Sequence, residues 1–567
     1  MHPLATVCQR IRGNKSGPDR SEFRPVGPDL FPNYPEWTLG GVDATLAAMH
    51  TKSTRATLAF ILLATVTISL AAYQSAPALT PGVQAALDRI SANSLRGHLS
   101  FIASDLLEGR DTPSRGLDLA AEYIAAQFRR AGLEPTGDDG YFQTANFVLS
   151  AIDPRNFELI LQAGATTIQV NSNQVTLDFS QNWILATTGV VKVPHSDTAT
   201  LAALTAAQVG GKVVMTELPD APNPAQVAAL RAFFRQVQAL RPALIVLLNR
   251  QEPPDSGDGS VQLIDLETRP AGTAAPPNAS LTLHAPEAIA LYDALPAGIT
   301  TATLSLRTAS SERPVKLRNV VGIVRGSDPV LKDTYVLVTA HYDHVGISPS
   351  GDGDRISNGA NDDGSGTVSV VEIAGALAAL QQKPKRSIVF MTVFGEEKGM
   401  LGSQYYTRHP IFPLEHTVAN INLEQVGRTD STEGPQVGTA SLTGFDFSEI
   451  GTIVQAAGQS TGIRVYKHPT NSDSYFSLSD NQAFATMGVP AHTLCVAFDY
   501  PDYHRPGDHW DKVDYENMAK VDRMVALALL MIANNPEAPK WNEANARTAN
   551  YVKAWRDRHP ASQPEVR

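Results

Sequence analysis

The sequence predicts an α/β fold: a doubly wound, mostly parallel sheet flanked by helices, with an inserted β-rich domain. Three observations predict it. Between residues 310 and 535 apolar strand-like runs alternate with helical segments, the pattern of parallel strands buried on both faces and joined by helical crossovers. Residues 156 to 308 change texture to short β-rich runs and Pro/Gly-rich loops. At 567 residues the chain exceeds the roughly 100 to 200 residues usual for one domain.

The elements follow in order. Residues 1 to 48 are rich in Pro, Gly, Arg and Asp without periodicity, and "MHTKSTRATLAFILLATVTISLAA" then begins at Met49. Lys52 and Arg55 form a basic start, Ala56 to Leu70 an apolar stretch, and Leu70-Ala71-Ala72 offers small residues for cleavage, the order of a secretory signal peptide. The apolar run is short of the ~20 residues that a spanning helix needs. The expectation is a mis-annotated leader (1–48), a signal peptide (49–75), export to the periplasm or exterior, and no stable membrane span after cleavage.

The formal net charge of −11 excludes a broad nucleic-acid footprint, which needs a basic face to displace counterions. Of the two cysteines, Cys8 lies in the leader and Cys495 in an apolar run, so the mature chain forms no internal disulfide and Cys495 reads as a small buried hydrophobe.

Residues 80 to 150 read as the N-terminal helical part of the main domain, with the helical pattern running from Ser91 to Gly132. In "GLDLAAEYIAAQFRRAG" Leu117, Ala120, Ala121, Ile124 and Phe128 share one face and Gly132 supplies a stop. The 156–308 stretch holds "FELILQAG", "GKVVMTEL", "ALIVLLNR" and "TATLSLRT", with one amphipathic helix, and no cluster of metal-ligand residue types. It reads as a separate insertion without catalytic residues. From 310 to 535 come "YVLVTA", "GTVSVVEIAGALAALQQ", "SIVFMTVF", "VANINLE", "AHTLCVAF" and a final helix, and 536–567 reads as a polar, peripheral tail.

In such a sheet active sites gather at the carboxyl ends of the strands, and chemistry-bearing residues concentrate there. "YVLVTA" ends in "HYDHVG", where His341 and Asp343, two apart, point to one side of an extended backbone, so that Asp343 could hold the second imidazole nitrogen of a metal-bound His341. Asp362 and Asp363 in "GANDDGSG" read either as an Asx turn with helix N-cap or as ligands. The second strand ends in the adjacent, mutually repelling Glu396 and Glu397, the third in Glu424, and the loop after the fourth carries His504. Asp362, Glu397 and Glu424 bring three negative charges, Glu396 a fourth, and no Lys or Arg is assigned to balance them. Two divalent cations and a hydroxide would balance the ligating carboxylates. Imidazole and carboxylate without thiolate suit zinc, with cobalt or manganese as alternatives.

"HYDHVG", "GANDDGSG", "FGEEKGMLGS", "NLEQVG" and "DYHRPGD" together resemble the co-catalytic di-zinc exopeptidases, the family of bacterial leucyl aminopeptidases, glutamate carboxypeptidase and the non-enzymatic transferrin receptor. The resemblance covers about 310 to 535. "LSFIASDLLEGRDTPSRGLDLAAEYIAAQFRRAGLEP" resembles the family's N-terminal helices, and the insertion resembles a protease-associated domain in position and strand texture. It implies two zinc ions per chain and a peptide substrate with a free N-terminus. Asp362 would bridge, with His341 and Glu424 on one ion and Glu397 and His504 on the other. It further implies a cis Asp362–Asp363 peptide, Asp343 supporting His341, Glu396 as general base, and Tyr503 as donor to the oxyanion. "SLSDNQAFATMGVPA" resembles the substrate-side segment, making Asp480 and Phe484 pocket candidates. Glu424 departs from the aspartate of many relatives. His344, His409, His468, His492 and His509 read as surface or structural residues. Competing readings are a carboxypeptidase or dipeptidase, a single-zinc glutaminyl cyclase, whose relatives lack the His341-type ligand, and a non-catalytic receptor-like scaffold.

Overall fold

The computed structural model describes residues 79–219, 224–251, 261–268, 278–349 and 351–560. The readings of 1–48 as leader and 49–75 as signal peptide lie outside these residues, as does the end of the tail. Among the described residues no helix is long and apolar enough to cross a membrane.

After a short helix at Pro81–Leu87 come two longer ones. α1 (Ala92–Ile102) is N-capped by Ser91, whose side chain accepts from the Ser94 amide. α2 (Arg115–Ala131) is capped by Ser114 and ends at Gly132, left-handed at φ 77°. Its buried face is Leu117, Ala120, Ala121, Ile124 and Phe128, the stripe that 3.6-residue spacing dictates. A turn at Asp105–Arg110 joins the two.

The main sheet has ten strands. Those that shape the site are β1 (Phe142–Ile152), β2 (Val261–Asp265), β3 (Ser310–Val324), β4 (Tyr335–His341), β5 (Ser387–Val393), β6 (Thr417–Leu423), β7 (Thr439–Leu442), β8 (Arg464–Tyr466) and β9 (Ala491–Cys495). They lie in the order β8-β7-β9-β6-β4-β5-β3-β1-β2. β5, β4, β6 and β9 run parallel, while β3, β1 and β2 extend the sheet antiparallel beyond β5. The parallel centre is the predicted doubly wound core. Alternation divides β4 between two cores: Val336, Val338 and Ala340 pack with residues of α1, α2, α3 (Gly366–Ala378) and α4 (Tyr515–Asn534), and Tyr335 and Leu337 face the other layer with Tyr406, Phe412 and Trp541.

The tail is more than peripheral. Trp541 is buried, its indole N–H donates to the Gly488 carbonyl at 2.8 Å, and its ring stacks on Tyr551. Burying an aromatic of this size gains about 2 to 3 kcal/mol, enough to dock a segment whose average composition is polar.

The insertion builds its own eight-stranded sheet. Trp183–Lys192, Val213–Glu217, Leu244–Leu248 and Ser280–Leu283 run parallel at its centre. Val191, Val214, Ile245 and Leu247 pack on one face with Phe233, Phe234 and Val237 of the helix Pro224–Ala239, and Val190, Val213, Met215 and Val246 on the other with Leu281 and Leu304. The 156–308 boundary needs one change. β2 leaves this sheet and pairs antiparallel with β1, covering an edge of the main sheet that would otherwise present unpaired amides and carbonyls.

Candidate metal centre

His341 is the last residue of β4. Because β5 and β6 flank β4 in parallel register, the chain emerges from all three at one end of the sheet. Glu396 and Glu397 follow β5, Glu424 follows β6, and the loop after β9 brings His504 over the top.

Two groups of side chains converge, each with ligand atoms all within 4.8 Å of one another: His341, Asp362 and Glu424 in one, and His344, Asp362, Glu397 and His504 in the other. Asp362 belongs to both. Its Oδ1 is 3.4 Å from His341 Nε2 and its Oδ2 is 2.9 Å from His504 Nε2. Glu397 Oε1 lies 3.1 Å from His504 Nε2 and 3.0 Å from His344 Nδ1.

The supporting contacts come from main chain and buried acids. Asp343 accepts from the Glu396 amide at Oδ1 (3.1 Å) and from the Glu397 amide at Oδ2 (3.3 Å), and its Oδ1 is 3.5 Å from His341 Nδ1. It therefore orients the adjacent glutamates as well as the imidazole. Asp363 Oδ1 accepts from the amides of Gly366 and Gln425, so the turn reading describes Asp363 while Asp362 faces the cluster. The Asp362–Asp363 peptide is cis. Asp508 Oδ2 accepts from the amides of Asn361 and Asp362 and from the Tyr500 hydroxyl. The loop that carries His504 thus also holds the loop that carries Asp362. Gln425 and His504 have φ of 55°, left-handed conformations that cost side-chain-bearing residues about 1 to 3 kcal/mol and collect at functional sites.

Burial raises the Glu396 carboxyl well above its ordinary range; His341 opposes this, while Glu424, Glu397 and Asp480 add to it. Glu424 is pushed up to about 7 by burial and by Asp362, against His341. Burial alone would lower His504, yet Glu397 and Asp362 hold it up to about 11, and Asp343 and Asp362 likewise override burial to keep His341 well above its usual value. The carboxylates thus raise both imidazoles, and burial with like charge raises Glu396 and Glu424; a divalent cation among these groups would supply the positive charge that they attract. His341 Nε2, His344 Nε2 and Glu424 Oε2 are buried without an aligned hydrogen bond, which buried polar atoms avoid unless something else meets them. The donor set of imidazole and carboxylate, and these convergent atoms, fit zinc.

All five sequence-derived ligand candidates come together here, with Asp343 behind them and Glu396 beside them. Tyr503 stacks on the His504 ring, centroids 4.0 Å apart. Asp480 is buried and accepts from Ser403 Oγ at 2.5 Å. Phe484 is a correction: it is fully buried and packs against Tyr406 in the apolar layer, so it lines the core and not a pocket. Lys398 directly follows Glu397, but its ammonium is engaged by Asp111 at 2.9 Å. His344 joins the cluster, whereas His492 sits in the core, bonded to Ser448 and Thr443, and His409, His468 and His509 pair with Glu267, Glu433 and Asp354. Sequence reasoning passed over His344, Asn361 and Asp508. The repeated His of "HYDH" was the available signal for the first, while the others act through backbone amides, which leave no mark on composition.

Residues 319–529 match the sequence model described as Peptidase family M28. A probable zinc metalloprotease of Pyrenophora teres f. teres is 28% identical over 250 residues, covering 40% of this chain and 50% of that protein. Aminopeptidase YwaD of Bacillus subtilis is 27% identical over 252 residues, covering 42% and 49%. The chain spans about half the length of these curated relatives. In three dimensions the aminopeptidase from Aneurinibacillus sp. strain AM-1 has a similar fold, with a TM-score of 0.51 at 19% identity over 80% of this chain and 97% of that chain. The match to the family model spans 319–529, the stretch that carries every residue of the two candidate ligand groups.

Proposed function

We propose that the chain is an exported aminopeptidase that removes N-terminal residues from peptides, using two zinc ions held by His341, Asp362 and Glu424 and by Asp362, Glu397 and His504. The observation that carries this reading is the single carboxylate, Asp362, shared by two groups of ligand atoms. Bound there, zinc supplies Lewis-acid polarisation of the scissile carbonyl and a water of lowered pKa.

The protein's own residues do the rest. Glu396, its amide fixed by Asp343 and its basicity raised by burial and neighbouring acids, takes the proton of the attacking water and returns it to the leaving amine. Tyr503, stacked on His504, presents its hydroxyl to the oxyanion. Asp480 adds negative charge on the substrate side, which favours a protonated α-amine.

The names of the relatives favour an aminopeptidase. The test is hydrolysis of aminoacyl-p-nitroanilides beside their N-acetylated counterparts, with and without a zinc chelator. Chelator-sensitive release from free-amine substrates alone is expected; cleavage of the acetylated set, or none of either, would overturn the assignment.

A further inference from the structure

The turn between α1 and α2 lies outside the 319–529 segment, yet it touches the loops that carry the candidate ligands. Arg110 is fully buried. Its guanidinium donates to four main-chain carbonyls: from Nε to Tyr342 at 2.8 Å, from Nη1 to Ile102 at 2.7 Å and Asn358 at 2.6 Å, and from Nη2 to Gly359 at 2.9 Å. Tyr342 follows His341, and Asn358 and Gly359 lead into Asp362. The strap's main chain adds two bonds, with the His344 amide donating to the Arg110 carbonyl and the Gly346 amide to that of Gly109, each at 3.2 Å. Asp111, the next residue, holds Lys398 beside Glu397.

The fit leaves little slack. Glu108, Gly109 and Arg110 have φ of 51°, 68° and 51°, a left-handed run that persists only where the surroundings over-determine it. A Cβ at Gly109 would lie 2.5 Å from the Ser357 carbonyl oxygen and 2.6 Å from that of Gly346, so the strap presses against both loops at once.

We propose that Arg110 is a positioning residue for the metal centre: by bridging the carbonyls of the His341 and Asp362 loops it sets the spacing at which their ligands meet the metal. The inference rests on the zinc reading above. Arginine suits this task because its rigid planar fork offers five donors in fixed directions, whereas lysine offers a point charge on a flexible stem. The carbonyls of two different loops can therefore be held at one separation by a single side chain.

The test compares wild type with Arg110→Lys, Arg110→Met and Gly109→Ala, and with Ile124→Ala, a cavity in α2 that lowers stability without touching the strap. For each, zinc affinity is measured by competition with a chromophoric chelator, the visible spectrum is recorded with cobalt in place of zinc, and thermal unfolding is followed. Both Arg110 variants and Gly109→Ala are expected to bind zinc about 10- to 100-fold more weakly, the loss typical when a supporting contact to a metal ligand is removed, and to alter the cobalt bands, with lysine failing to rescue. Ile124→Ala is expected to keep the wild-type affinity and spectrum despite its lower melting temperature. Should Arg110→Met fail to fold, Arg110→Lys and Gly109→Ala decide. Wild-type affinity and spectra in those variants, or equal losses in Ile124→Ala, would overturn the role of Arg110 while leaving the zinc reading intact. A wild-type chain that takes up no zinc would overturn both.

Discussion

Glu396 and Glu397 are adjacent in sequence yet separable by experiment. Glu396→Gln removes a base without removing a proposed ligand, so zinc content should match wild type while kcat falls about 10²- to 10⁴-fold; unchanged turnover would reassign the base. His504→Ala should lose zinc at saturating metal. His344→Ala, which removes a neighbour of Glu397 Oε1, should keep the full stoichiometry with weaker affinity, and a lost equivalent in that variant would make His344 a ligand. Among the candidate ligands, His341, Glu397 and Glu424 were legible because they stand at or just beyond the ends of apolar strand runs, while Asp362 and His504 lie in loops and were placed by the resemblance of their motifs. His344 was not legible, since its proximity to Glu397 depends on how the loop turns after β4. A third residue bears on acid stability. Burial lowers His492 from 6.5 to about 4, against the Thr443 carbonyl that its ring N–H meets. Between those values the unfolded chain binds the extra proton, so this contribution is complete above about pH 6.5 and is lost as pH falls toward 4, by at most about 3 kcal/mol. His492→Asn should flatten the pH dependence of stability in that window, and calorimetry from pH 4 to 7 checks it.

At the scale of elements, α3 approaches β6 through Gly366, where a Cβ would lie 2.5 Å from the Leu423 carbonyl oxygen and 2.5 Å from Asp363 Oδ2. Gly366→Ala is expected to destabilise by about 1 to 3 kcal/mol and to weaken zinc binding, because the displaced strand end carries Glu424; denaturant melts and zinc titration report the two effects separately. α2 was readable because its stripe and its Gly132 stop are local signals. The docked tail was not. Trp541 and Tyr551 gain their meaning from Phe476 and His492, which are remote in sequence, and polar composition hid them. β2 is too short a run to be told from the insertion strands around it.

For the whole molecule, anything that binds only the folded state raises stability by mass action, about 2.7 kcal/mol at a hundredfold excess over Kd. Chelation should therefore lower the melting temperature and added zinc restore it, beyond the change seen with Glu396→Gln, which keeps its metal. An unaltered melting temperature after verified metal removal would contradict the placement of the ions among buried carboxylates. The doubly wound centre could be read in sequence because its strands are uniformly apolar, whereas the course of the chain between the two sheets could not. The chain leaves the main sheet after β1, returns at β2, leaves again and returns at β3. The insertion is thus sewn to the main sheet and does not dangle from it. A protease that cuts one of its surface loops should leave both fragments migrating as one body until denaturant pulls the stitches apart.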